Sequence, residues 1–415
     1  MSDHAETDQI PQLVDHLFRH QAGQVIAMLA RMLGPQQLDL AEDVLQETLL
    51  KALRHWPYRG VPSNPAAWIT RVAKNHALDL LRRERNHEQP QLAEPAAPTP
   101  AIEADELPDD MLRLMFTCCH PAISREARVA LTLKALGGFG VPELARAFLV
   151  PEATIAQRLV RAKKTIREQR IALELPAPHE LPARLDSLLD VLYLLFNEGY
   201  GAAQGDTLLR CDLCAEAIRL TAIVVRHPAC DTPRVHALLA LFLLQAARLP
   251  GRTDAAGDLL VLEEQDRSRW DRRLIALGLA ALDRATSGPD LSTYHLQAGI
   301  AALHAVAPSY AATDWPQILA QYDALAAITP DPVVALNRAV VLAIVAGPSA
   351  GLAALEQIRT QPGMPGYYLL HASSGAFHQR AGRPRQALAD YQRALALTAN
   401  AAERRFLQRK IAECM

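Results

Sequence analysis

The residues whose types could carry chemistry fall into two groups, and the first does not cohere. Cys211-x2-Cys214 followed by His227-x2-Cys230 has a zinc-like spacing, but Cys211 and Cys214 fall on a helix-length apolar pattern rather than a tight knuckle. A free cysteine is commonly just a small core residue. Cys118-Cys119-His120 places adjacent thiols at a helix end, where they rarely close a site. Glu263, Glu264 and Asp266 could act as paired carboxylates, yet Arg267, Arg269, Arg272 and Arg273 beside them favour a salt-bridged helix surface. Gly137-Gly138-Phe139-Gly140 lacks the strand and helix context of a phosphate loop and reads as a helix break. No nucleophile–base constellation stands at readable spacing. The expectation is a protein that is not an enzyme, with no metal and no cofactor.

The second group suggests recognition. Between Pro65 and Arg83, the side chains of Arg71, Lys74, Asn75, Leu78 and Arg82 gather on one side of a helical wheel, with Trp68 near its boundary. Cations hold phosphates, an amide reads base edges and an aromatic ring stacks on an unpaired base, which is what single-strand recognition needs. Further on, Thr154, Gln157, Arg161 and Lys164, flanked by Arg158 and Arg167, lie opposite an apolar stripe of Ile155, Leu159, Ala162 and Ile166. That polar-basic stripe fits a major groove, where Arg reads guanine and Gln reads adenine. A third row, Asp39, Asp43, Gln46 and Glu47 with Leu50 among them, suits a basic, partly apolar partner surface. The competing reading for each row is a solvated helix face.

Helices must position these rows. Of the 415 residues half are hydrophobic and only 5% aromatic, with Ala and Leu dominant, which favours packed helices over sheets. Two to four domains are expected at about 100–200 residues each. The net charge of −2 hides an uneven distribution. Met111 to Arg170 carries eleven Lys/Arg against four Asp/Glu, whereas Asn86 to Asp110 carries seven Asp/Glu and no Lys/Arg. The basic stretch suits a polyanion and the acidic, proline-rich one a solvated tether. Six cysteines without a paired framework fit a reducing cytosol. The acidic, polar start MSDHAETDQIPQ is not expected to be a signal peptide, and runs such as Val235 to Ala247 are too short to span a bilayer. A cytoplasmic protein with no membrane contact is expected.

In chain order, Ile10 to Leu33 reads as a helix with Leu13, Leu17, Val25, Met28 and Leu29 inward, ended by Gly34-Pro35. Ala41, Val44, Leu45, Thr48, Leu49 and Ala52 form the inner side of the next helix, and Pro65 stands near the start of the one after it. Val141 to Phe148, the turn Leu149-Val150 and a helix begun by Pro151 make a helix-turn-helix pattern. After the hinge Leu175 to Pro182 the chain reads as helix after helix, including Leu259 to Arg284, to a last one from Ala401 to about Glu413.

The run Ala41-Glu42-Asp43 to Gln46-Glu47, followed by AWITRVAKNHALDLLRR (Ala67 to Arg83), resembles region 2 of the extracytoplasmic-function sigma factors of bacterial RNA polymerase. LMFTCCHPAISREARVALTLKALGGFGVPELARAFLVPEATIAQRLVRAKKTIRE resembles region 4 of the same family, and the match spans roughly residues 10–170. LYLLFNEGY (Leu192 to Tyr200), LEEQDRSRWD (Leu262 to Asp271), TDWPQI (Thr313 to Ile318) and VVALNRAV (Val333 to Val340) look like signature runs of the subgroup with a tetratricopeptide-like C-terminal extension. Gly375, Gly382, Ala387, Tyr391 and Ala394 sit where small and aromatic positions of such a repeat belong.

The resemblance implies an all-α protein with a region 2 module (1–86), an acidic linker (87–108), a region 4 helix-turn-helix (109–174), a hinge (175–182) and a helical-repeat extension (183–415). It implies that Asp39, Asp43, Gln46, Glu47 and Leu50 dock on the clamp coiled coil of the largest polymerase subunit. It assigns Trp68, Arg71, Lys74, Asn75 and Arg82 to the opened −10 element of promoter DNA. Thr154, Gln157, Arg158, Arg161 and Lys164 would meet the −35 duplex, with the flap of the second-largest subunit as a further partner. The extension would control engagement from within the chain, with room for a protein or peptide ligand. The rival reading is a helix-turn-helix regulator with a helical-repeat sensor that never serves as a sigma subunit.

Overall fold

The structure, a computed structural model, describes residues 13–14, 21–88, 106–148, 150–201, 210–254, 258–288 and 290–415. Most of the expected linker 87–108, together with Leu17 and Leu149, lies outside these residues. The fold is all-α: among the described residues every regular element is a helix, and the extended pairing is an isolated bridge between Thr253 and Leu259. The chain divides into two compact units, Met1–Leu194 and Leu195–Met415.

The first unit begins with α1 (21–33), which buries Ala22, Val25, Ile26, Met28 and Leu29. In α2 (Leu38–Arg59) the buried set is Leu38, Ala41, Val44, Leu45, Thr48, Ala52 and Trp56, positions three and four apart as one apolar face requires. Gly60, at φ 78°, lets the chain leave α2. Pro65 then opens α3 (Pro65–Glu88), where a missing N–H costs nothing, and the Asn64 side chain accepts the Ala67 N–H at 3.0 Å. Ile69, Ala73 and Ala77 turn inward from α3.

Then come α4 (Glu106–Cys118), α5 (Arg125–Leu136), α6 (Val141–Phe148) and α7 (Glu152–Glu168). The Glu143 carboxylate takes the Gly140 N–H at 2.8 Å and holds the entry to α6. Pro151 occupies the N-cap of α7 rather than its first turn, and Ile155, Leu159, Ala162 and Ile166 are the residues α7 buries. Glycine is required where α1 meets the end of α5: a Cβ on Gly23 would lie 2.3 Å from the Leu136 carbonyl oxygen. Arg31 also reaches the fully buried Asp110 at 3.2 Å. The first turns of α8 (Leu181–Tyr200) belong here too. Arg184 donates to the Phe116 carbonyl at 2.8 Å, and Ser187 donates to the Cys119 carbonyl at 2.8 Å while accepting from Arg128 at 2.6 Å.

In the second unit α9 (Cys211–Arg226), α11 (Arg272–Ala285) and α12 (Thr293–Val306) pack around α10 (Pro233–Ala246), which is buried along most of its length. Six more helices pack each on the next: α13 (Trp315–Ile328), α14 (Pro332–Ala346), α15 (Pro348–Ile358), α16 (Tyr368–Arg380), α17 (Pro384–Leu397) and α18 (Ala401–Glu413). Close packing of α16 on α17 needs Gly375, whose Cβ would meet the Tyr391 ring at 2.9 Å.

Two expectations for this unit fail. The helix expected over Leu259 to Arg284 begins only at Arg272, where Asp271 caps it by accepting the N–H groups of Arg273 and Leu274. Arg267 is not part of a salt-bridged surface but is buried, donating to the carbonyls of His304 (2.8 Å) and Ala307 (2.7 Å) and to the Thr313 hydroxyl (2.9 Å). A guanidinium offers five donors in a rigid fork, so carbonyls at a helix end can hold it without a carboxylate. The three cysteines of the zinc-like spacing differ in setting: Cys214 and Cys230 are buried and Cys211 is exposed. Among the described residues no cluster of three or more His, Cys, Asp or Glu could hold a metal ion.

Candidate nucleic-acid and protein interfaces

Burial of one face of α2 leaves the opposite face in solvent. Asp43, Gln46, Glu47 and Leu50 are all exposed there, and Leu50 keeps half its surface in water. Glu47 reaches His76 of α3 at 3.4 Å. Asp39, one turn earlier, is exposed but engaged: Lys163 of α7 meets it at 2.7 Å and Arg167 at 3.8 Å.

Lys163 also meets Glu42 at 2.8 Å, an ion pair that falls short of hydrogen-bond alignment, and Lys134 approaches Glu42 at 3.9 Å. Glu42 and Lys163 are 13% and 12% exposed, so this pair is far less screened by salt than its neighbours. Burial alone would depress the Lys163 ammonium. The Glu42 and Asp39 carboxylates more than offset it, and its pKa stands above the ordinary 10.5. Sequence reasoning missed this cluster, because Glu42 sits between the inner and outer rows of α2 and its partners Lys134 and Lys163 lie 92 and 121 residues downstream.

Along α3, Arg71, Asn75 and Arg82 are exposed, while Trp68 and Lys74 are half-buried. Arg82 pairs with Asp79 at 3.5 Å. Trp68 stands edge-on to Trp56, with ring centroids 5.4 Å apart. Beside them His55, Arg59, Gly60, Val61 and Pro62 complete a pocket of about 390 Å³. The indole N–H of Trp56 is buried there without a hydrogen-bond partner. His55, Trp56 and Arg59 were not legible as site residues, because it is the chain reversal after Gly60 that brings them to Trp68.

On α7, Gln157, Arg161 and Lys164 are exposed and Thr154 and Arg158 half-buried, so the stripe opposite the buried face is open to a ligand. Lys164 pairs with Glu168 one turn on at 3.5 Å. Val160 joins the stripe with 66% of its surface exposed. An apolar residue three positions after Gln157 on a polar face was the available signal. The structure thus brings Asp39, at one end of the acidic row of α2, together with Glu42 into contact with the basic helix α7. Lys163 and Arg167 do the bridging, and Gln157, Arg161 and Lys164 point elsewhere.

The descriptions "Sigma-70 region 2" and "Sigma-70, region 4" match residues 17–87 and 113–166. A protein of Rhizobium meliloti (strain 1021), "Uncharacterized protein R00370", is 39% identical over 392 residues, covering 91% of this chain and 90% of its own. The "ECF RNA polymerase sigma factor SigL" of Mycobacterium tuberculosis is 31% identical over 128 residues, 31% of this chain and 72% of its own. This chain belongs to the ECF sigma factors. "RNA polymerase sigma factor CarQ" of Myxococcus xanthus, 29% identical over 161 residues, covers 39% of this chain and 91% of its own.

This ECF sigma factor continues well past region 4. A "Family of unknown function (DUF6596)" matches residues 184–286, so α8 to α11 are part of a C-terminal extension. Sigma factors are initiation factors and not enzymes. No described helix is long and apolar enough to cross a membrane.

Proposed function

We propose that this sigma factor docks on core RNA polymerase through the exposed face of α2 and directs promoter-specific initiation under the control of its own C-terminal extension. Asp43, Gln46, Glu47 and Leu50 form the docking row, offering two carboxylates, an amide and one apolar side chain to a basic helical surface such as the clamp coiled coil of the largest subunit. Asp39 joins them once released from Lys163. The flap of the second-largest subunit is the partner for region 4. The observation that carries the reading is this uncovered acidic row next to a helix, α3, whose outward side is cationic and aromatic.

At the −10 element the duplex must open, at about 1.4 kcal/mol of lost stacking per step. Trp68 borders a pocket where one unstacked base can stack on its ring, with the buried Trp56 packed edge-on behind it. Arg71, Lys74 and Arg82 hold the strand and Asn75 reads an edge. At −35, Gln157 and Arg161 read bases, Val160 meets a thymine methyl, and Thr154, Arg158 and Lys164 take phosphates or edges.

The two elements lie about 25 base pairs apart, roughly 85 Å at 3.4 Å per pair. Helices α3 and α7 cannot serve both while Lys163 holds α2, so docking and promoter binding must part the modules. The docking row and the Lys163 contact share Asp39, which makes polymerase a direct competitor for the latch. These events belong to the cytoplasm, where polymerase and promoter are.

Pull-down with purified core polymerase tests the docking row. Asp43→Ala/Glu47→Ala should bind at least tenfold more weakly than the parent chain, and equal binding would remove α2 as the docking surface.

A further inference from the structure

Three of the four signature runs in the C-terminal half have no part in the sigma reading, and they meet at one place. Leu262, Glu263 and Glu264 from the first, Trp315 from the second and Asn337 and Val340 from the third line a single cavity of about 700 Å³ within the second unit. That volume is the size of an ordinary small-molecule site. Its body is aromatic, with Tyr310, Trp315, Tyr322, Phe377, Tyr391 and Phe406 contributing rings. Tyr310 and Trp315 stand with centroids 4.9 Å apart, and His304 lies edge-on to Trp315 at 5.4 Å.

The polar groups decide what fits. The least exposed charge in the lining is Lys410, at 21%, against 47% for Glu413, 48% for Arg380 and 58% for Glu263. Lys410 spends its ammonium on Glu413, at 3.1 Å from both oxygens, and Arg380 gives one N–H to Glu263 at 3.3 Å. Together they carry eight N–H donors, so several remain for a ligand. At the other end the His304 Nδ1 is buried without a partner. Burial, with Arg248 and Arg267 nearby, drives that imidazole's pKa down to about 3, so it stays neutral in a locally positive field. Lys410 is the innermost of these charges, while Arg380 sits as far out as Glu413. An anionic head that passes the rim therefore meets the Lys410 ammonium, with Arg380 at the mouth.

We propose that this cavity binds a small organic acid with an aromatic or branched apolar body, its carboxylate set against Lys410 and Arg380 and its body among the rings. The strip Asp258 to Glu264 closes one side, tied to α18 by Arg405 on Asp258 and by Arg409 on the Leu259 carbonyl at 3.1 Å, and to α16 by Arg380 on Glu263. A ligand that draws Arg380 off Glu263 loosens that strip.

The full-length chain is titrated with the fluorescent aromatic anion 1-anilinonaphthalene-8-sulfonate, and the bound probe is challenged with 4-phenylbutyrate and with 4-phenylbutyramide. One saturable site is expected, with the acid displacing the probe at least tenfold more effectively than the amide. Lys410→Met should weaken the probe about tenfold, and Ala376→Trp, which fills the cavity, should abolish its binding. Absence of a saturable site, equal competition by acid and amide, or unchanged binding in Lys410→Met would each overturn the proposal. Should Ala376→Trp lose its helical signal, the Lys410→Met and acid-against-amide comparisons decide alone. The readout is binding, so failure here leaves the polymerase and promoter reading untouched.

Discussion

Arg161 stands exposed on α7 between Gln157 and Lys164, with the helix held from behind by Ile155, Leu159, Ala162 and Ile166. If Arg161 reads a guanine edge bidentately as proposed, Arg161→Ala should cost about 1–3 kcal/mol on the cognate −35 duplex and blur the preference at one base pair. Titration of matched and single-mismatch duplexes checks this; an equal loss on every sequence reassigns Arg161 to phosphate. Trp68 makes a second residue-level claim. Trp68→Ala removes the ring offered to an unstacked base, so open-complex formation should slow several-fold while duplex −35 binding stays unchanged. At this scale the sequence was informative wherever a helical wheel could sort side chains, which is why the rows on α2, α3 and α7 were readable. It was silent wherever two distant segments meet. Nothing near Arg267 signalled that its guanidinium would be capped by the backbone of His304 and Ala307.

Among elements, the contact between α2 and α7 has the clearest consequences. Lys163→Glu places a third carboxylate beside Asp39 and Glu42 and should separate the modules. Distances between labels on α2 and α7 should lengthen and broaden, and core polymerase should bind faster. An unchanged distance distribution would mean that Gly23 and Arg31 hold the arrangement without the ion pairs. The sign with pH follows from the raised Lys163 pKa: the contact is fully present below the ordinary lysine value of 10.5 and fades only as pH rises through the higher folded value. Packing of α16 on α17 offers a stability test. Gly375→Val forces a branched side chain onto the Tyr391 ring and should cost about 1–3 kcal/mol, read as a lower thermal midpoint for the extension. Helix existence was legible from apolar spacing throughout, while the missing start of α11 was not. Residues 259–271 mix Leu, Val and charge as a helix would, and only the Asp271 cap marks the true beginning.

Across the whole molecule, the chain continues from region 4, matched to residue 166, to residue 415, whereas the CarQ match takes in 39% of this chain and 91% of CarQ. A cut at the proline hinge (175–182) would remove Arg184 and Ser187 of α8, which bond to the backbone of Phe116 and Cys119. A truncation that tests regulation should therefore end after Gly201, keeping those bonds, and should change promoter output without lowering the stability of the remaining unit. Charge partition between the basic region 4 and the acidic stretch before it is visible in composition. What composition could not convey is that both modules fold into one compact unit, because that depends on a glycine, a buried carboxylate and a lysine finding partners far along the chain. In vitro transcription with purified core polymerase addresses the central claim directly. The account predicts specific start sites in the presence of the parent chain and their loss with Asp43→Ala/Glu47→Ala. A folded parent chain that directs no specific initiation, whether full-length or ended after Gly201, would contradict it.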